Sequence, residues 1–175
     1  MPKYGAASTF LDLKEKQLRR LRLNLIKVDD PGLHRYRPRD PRERKSEYYA
    51  YIDNGELFVR ATNYVNSGDY FVRVLERGRY LFMIDKINTS SLSKDLFDEL
   101  HEKVSNTIIG IVIDAESGVP TFVTDDYLNS LMKPYPDLRD KYMIVDILSN
   151  PFQLERVRRF ISEINRRAQS LNASK

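Results

Sequence analysis

The chain has 175 residues, 41% of them hydrophobic and 31% charged, which suits a globular protein that buries its own core and excludes a disordered or fibrous chain. It contains no cysteine, which excludes disulfides, thiolate metal sites and cysteine nucleophiles. It also has no run of about 18 apolar residues and no signal-peptide core at its start, so the expectation is a cytoplasmic protein without a membrane partner. The net charge of +4 is unevenly spread: residues 1–47 hold 13 Lys+Arg against 7 Asp+Glu, residues 150–175 hold 6 against 2, and residues 48–149 hold 10 against 16. Basic ends flanking an acidic body either meet a polyanion or fold back on that body.

Taken in chain order, Ser8 and Thr9 can cap a helix, with Asp12 suited to its first turn. Leu11, Leu18, Leu21, Leu25 and Val28 fall at heptad spacing, with Lys14 intruding, and predict a helix from Thr9 to Val28 ended by Pro31-Gly32. Such a helix lies on its own sheet or pairs with a partner. Leu33–Lys45 carries six positive charges, two negative charges and two prolines, a composition that predicts an extended or disordered arm. Within it Arg35, Arg37 and Arg39 alternate, so an extended backbone points them one way and Tyr36 the other. With Arg42, Arg44 and Lys45 they form the candidate nucleic-acid-binding set, because guanidinium groups bind phosphates bidentately and release counterions. The competing reading is a solvated linker.

Asp53-Asn54-Gly55-Glu56 between two aromatic, β-branched runs predicts a hairpin of Tyr48–Ile52 with Leu57–Arg60. A second hairpin is expected for Tyr70–Glu76 with Arg79–Asp85, turning at Arg77-Gly78. Leu92, Leu96, Leu100 and Val104 predict an amphipathic helix that ends near Asn106. His34 and His101 lack any partner pattern and are assigned no metal role. Thr107–Ala115 is the longest β-branched run in the chain, the signature of a strand buried on both faces. Val119–Val123 follows as an edge strand on account of Pro120. A short capped helix, Tyr127–Met132, precedes a further buried strand at Tyr142–Leu148. The last helix begins after Ser149-Asn150-Pro151, and Leu154, Val157, Ile161, Ile164, Ala168 and Leu171 form its heptad stripe.

These elements predict an α+β fold: a mostly antiparallel sheet built from hairpins and covered by amphipathic helices, with a basic N-terminal helix and arm. Residues 1–47 are expected to form that helix and flexible arm, and residues 48–175 a single α+β domain. The chain has no phosphate-binding glycine loop, Gly-x-Ser-x-Gly elbow or paired-histidine helix, which argues against nucleotide-dependent enzymes and serine hydrolases. The leading expectation is a non-enzymatic protein that contacts nucleic-acid phosphates through the arm and needs no cofactor. An alternative is a small nuclease in which Asp114, Glu116 and Asp146, at or within apolar strands, hold Mg²⁺ or Mn²⁺. A third is an adaptor that forms homo-oligomers through its N- and C-terminal heptad helices.

Overall fold

The computed structural model describes residues 3–28, 30, 32–45, 47–65, 68–87, 107–144, 147, 150 and 152–173. They divide into two units: one holds the described residues up to Val74 together with Ile87, the other Leu75–Lys86 and the described residues from Thr107 onward. The mixture of helices with antiparallel strand pairing is the α+β class that the sequence predicts.

In the first unit Thr9 does cap a helix. Its hydroxyl accepts from the Asp12 amide while the Asp12 carboxylate accepts from the Thr9 amide. That helix, α1, runs only from Phe10 to Lys14, between strand β1 (Tyr4–Ala7) and β2 (Leu25–Lys27). The predicted Thr9–Val28 helix is therefore wrong beyond its first turn. Lys16 turns left-handed at φ 59°, and the chain then leaves the helix to bridge β1, with the Ala6 and Arg19 amides each donating to the other residue's carbonyl at 3.0 and 2.9 Å. Partners distant in the sequence decide this segment: Leu21, Leu23 and Leu25 also alternate, and that strand-like period is the one realised.

The arm is likewise a strand. β3 (Arg35–Pro38) pairs on both sides, with β2 and with β6 (Phe71–Arg73). β4 (Ala50–Asp53) and β5 (Glu56–Arg60) form the expected hairpin, with Asn54 and Gly55 at φ 49° and 80°, the conformation such a turn requires. The sheet order is β1-β4-β5-β6-β3-β2. Because Arg19–Lys27 meets β1 at its start and β3 at its end, one segment joins both edges of this curled sheet. Its inner face gathers Ala6, Leu23, Tyr51, Phe58 and Phe71, with Tyr36 and Leu25 packed alongside. The buried Tyr51 hydroxyl crosses to the joining segment, accepting from the Leu23 amide at 2.6 Å and donating to the Leu23 carbonyl at 3.2 Å.

In the second unit β8 (Thr107–Asp114) lies between β7 (Tyr80–Ile87) and β9 (Pro120–Phe122), with β9 at the edge as Pro120 predicts. Ile109, Ile111, Val112 and Ile113 are buried, so successive positions on both faces of β8 are covered. The second hairpin is not formed as expected. β6 pairs with β5 and β3, and the two stretches meet where Phe82 bridges Glu76 and its carbonyl accepts from the Leu75 amide at 2.8 Å.

Thr124 caps α2 (Asp125–Met132), accepting from the Tyr127 amide. Pro136 opens α3 (Pro136–Tyr142), so the strand expected at Tyr142–Leu148 has a helix end as its first residue, and Ile147 lies in a turn. The Ser90–Asn106 helix lies outside the described residues. α4 (Gln153–Ala173) spends its stripe at home: Leu154, Val157, Ile161 and Ile164 are buried with Phe82, Val112, Leu128 and Met132.

Asn165 fastens α4 to β7. Its carbonyl accepts from the Tyr80 amide and its amide donates to the Tyr80 carbonyl, both at 2.8 Å. Gly78 is required beside it, since a Cβ there would stand 2.5 Å from the Asn165 Cγ.

These contacts set the stability of two variants. Tyr51→Phe leaves the Leu23 amide and carbonyl without their buried partner, and the urea midpoint is expected to fall by the equivalent of about 1–3 kcal/mol. Burial pushes the Tyr51 phenol from 10.0 up to about 12. Its folded pKa is thus raised, and its contribution is intact below pH 10 and declines as pH climbs towards 12. Tyr51→Phe should flatten that alkaline decline, and an unchanged alkaline slope would contradict the assignment. Gly78→Ala is expected to cost about 1–3 kcal/mol by crowding Asn165. A variant as stable as the parent in urea would mean that Asn165 is not held in place.

Candidate nucleic-acid interface

The tertiary pairing brings together two basic stretches that the sequence presents as separate elements. Residues 16–28 contain Lys16, Arg19, Arg20, Arg22 and Lys27 and no carboxylate. They run beside β3 with Ile26 opposite Arg37, Lys27 opposite Tyr36 and the Arg39 amide donating to the Asn24 carbonyl. Alternation along β3 places Arg35, Arg37 and Arg39 on the face opposite Tyr36. Tyr36 turns inward, edge-on to Phe58 with ring centroids 5.0 Å apart.

The predicted binding residues do not share one environment. Arg35 lies 3.7 Å from Asp30 and 4.5 Å from the centre of the Tyr70 ring. Arg42 chelates Asp40 through its Nε and a terminal nitrogen, and that hydrogen bond holds the Asp40 carboxyl below its usual range. Arg44 donates to the Pro38 carbonyl, and Lys45 ends a 3-10 turn, Glu43–Lys45. Arg39 is exposed.

Arg37 is the anomaly. It is half-buried, and its Nε is shut from solvent without an acceptor among the described residues. A buried donor left unpaired costs stability that an anionic ligand would restore. Arg19 and Arg20 are exposed, and Arg22 lies over the Tyr4 ring at 4.9 Å. Sequence reasoning missed Arg19, Arg20 and Arg22 as candidates because it set them on a helix. The signal that could have found them is the absence of any carboxylate over residues 16–28.

Four of the five C-terminal arginines are paired at home, and the fifth, Arg156, is exposed. Arg158 meets Glu76, Arg159 meets Glu155, Arg166 meets Glu163, and Arg167 meets Asp137 and Glu163. Bonding to Arg166 and to Arg167 pulls the Glu163 and Asp137 carboxyls, respectively, below their ordinary values. An open cleft of ≈ 470 Å³ in this unit is lined by Glu76, Arg77, Tyr142, Arg159, Glu163 and Arg166, among others. Its two carboxylates are paired to arginines, and Arg159 is paired to Glu155.

Of the nuclease candidates, Asp114 and Glu116 are drawn together, but by a guanidinium. Arg79 donates to Asp114 Oδ2 at 3.0 Å and also pairs with Glu116. Asp114 Oδ1 accepts from the Glu116 amide at the turn. Arg79 therefore stands where a divalent ion bridging the two carboxylates would stand. Asp146 lies outside the described residues, and among the described residues no group of three His, Asp or Glu side chains is arranged to hold a metal ion. No helix among them is long and apolar enough to cross a membrane.

Residues 35–147 match the model of a family of unknown function, DUF6563. The chain belongs to that family. No curated protein and no solved structure matches it. The DUF6563 region opens at Arg35, the first residue of β3, and includes the arginine row, Arg79, Asp114 and Glu116.

The two half-buried guanidinium environments make opposite demands on stability. Arg37→Leu removes a charge that has no internal acceptor at Nε, and its urea midpoint is expected to equal or exceed that of the parent. Arg79→Leu leaves Asp114 and Glu116 facing each other and is expected to be the less stable of the two. The reverse order in urea would show that Arg37 is a structural cation.

Proposed function

We propose that this protein is a non-enzymatic nucleic-acid-binding protein that grips phosphates with the arginines of β3 and of the segment that leads into β2. Arg37 and Arg39 are the central contacts, and Arg19, Arg20 and Arg22 extend the positive surface. The carrying observation is Arg37, a half-buried guanidinium whose Nε has no acceptor among the described residues, in a row of alternating arginines. A charge already partly desolvated and left without an internal partner is suited to an external anion, because part of the cost of removing its water is borne by the fold. The carboxylate-free stretch beside it supplies further cations without competing internal acceptors.

Fluorescence anisotropy with a labelled DNA or RNA duplex tests this reading. Affinity is expected to fall steeply as salt rises from about 50 to 200 mM. An Arg20→Glu, Arg39→Glu double variant should bind at least about tenfold more weakly, with a salt slope shallower by about one for each phosphate that is no longer neutralised. Arg166→Glu in the other unit serves as the control and should bind as the parent does. No binding at low salt, or an equally weakened control, rejects the proposal. Binding to phosphatidylserine vesicles without binding to nucleic acid would reassign this face to an anionic membrane surface.

A further inference from the structure

We infer that the interface reads the backbone of a duplex and is indifferent to base sequence, a conclusion that rests on the nucleic-acid reading above and names its substrate form. Proteins that take single strands lay successive bases on aromatic side chains. In the first unit three tyrosines that lie between or against these arginines are already engaged. Tyr36 packs edge-on to Phe58 within the buried inner cluster. Tyr70 has the Arg35 guanidinium 4.5 Å from its ring centre. Tyr4 has Arg22 at 4.9 Å and the Lys3 ammonium at 5.7 Å.

These rings serve the cations. A guanidinium lying over an aromatic ring is attracted by its face and keeps its in-plane N–H donors for a phosphate at the margin of the stack. The rings thereby limit the rotamers of long side chains, which lowers the entropy cost of binding. What remains exposed is a set of phosphate donors before β2 and just after β3, Arg19, Arg20, Arg22 and Arg39, and phosphate contacts carry no sequence information of their own. A duplex offers one charge per about 1.7 Å of axis, twice the linear density of one of its strands, so a backbone reader favours the duplex.

The test measures the full chain against two duplexes of unrelated sequence and against their separated strands, all of one length. Both duplexes should bind within about threefold of each other and at least about tenfold more tightly than the strands, with a log–log salt slope no steeper than about −5 for the five arginines named. Tyr4→Leu should weaken duplex and strand by the same factor, since it loosens Arg22 without removing a base contact. Strands that bind as tightly as duplexes, a tenfold preference for one sequence, or a weakening in Tyr4→Leu confined to strands would overturn the inference and leave phosphate binding standing. Absence of binding to every probe would reject both.

Discussion

The first unit depends on one requirement, that a curled antiparallel sheet must not leave its edge strands unpaired. Unpaired edges expose backbone donors and acceptors and invite pairing with other chains. Arg19–Lys27 meets that requirement by bonding to β1 through Arg19 and to β3 through Leu25–Lys27. Tyr51 reinforces the arrangement from the inside, because its hydroxyl bonds both polar groups of Leu23 across the inner cluster. The side chains of the joining segment then divide by necessity. Leu23 and Leu25 go inward, and the basic residues before them, Arg19, Arg20 and Arg22, go to the surface.

A comparable device organises the second unit. Asn165 presents an amide to Tyr80 as a neighbouring strand would, and satisfies both backbone groups at that position. The contact fixes the register of α4 on β7, and the apolar stripe of α4 then meets Phe82 and Val112. Gly78 is the accompanying condition, since only a residue without a Cβ leaves room for the Asn165 side chain. With Leu154, Val157, Ile161 and Ile164 consumed in this way, the stripe that suggested self-assembly serves the chain's own core.

The electrostatics of the two units differ in kind. Four C-terminal arginines, Arg158, Arg159, Arg166 and Arg167, stand beside Glu155 and Glu163, with Glu76 and Asp137 opposite, and their charge is compensated locally. Exposed pairs of this sort contribute little to stability, but they lower the positive potential that a distant polyanion would sense. In the first unit Arg42 and Arg35 are compensated too, by Asp40 and Asp30. Arg37, Arg39, Arg19 and Arg20 have no such ion-pair partners among the described residues. In the first unit, positive charge available to an outside partner is therefore found on β3, just after it, and on the segment that leads into β2.

The amino-acid sequence by itself determined the features whose causes are local. Asn54-Gly55 specified its hairpin through positive φ, Thr9 and Thr124 specified helix starts through their hydroxyls, and the unbroken β-branched run of β8 specified a strand covered on both faces. The alternation of Arg35, Arg37 and Arg39 was legible as well, and so was their common face. Tertiary structure alone decided that Arg35–Pro38, within Leu33–Lys45, is an interior strand of a sheet, because the few apolar residues there stabilise it only once β2 and β6 lie on either side. It likewise decided between two periods in Leu11–Val28, where heptad spacing and the alternation of Leu21, Leu23 and Leu25 compete. The partners that settled the contest, Ala6, Tyr51 and β3, are remote in sequence. The same long-range pairing brought the carboxylate-free stretch to the arginine row, a proximity that no local pattern encodes.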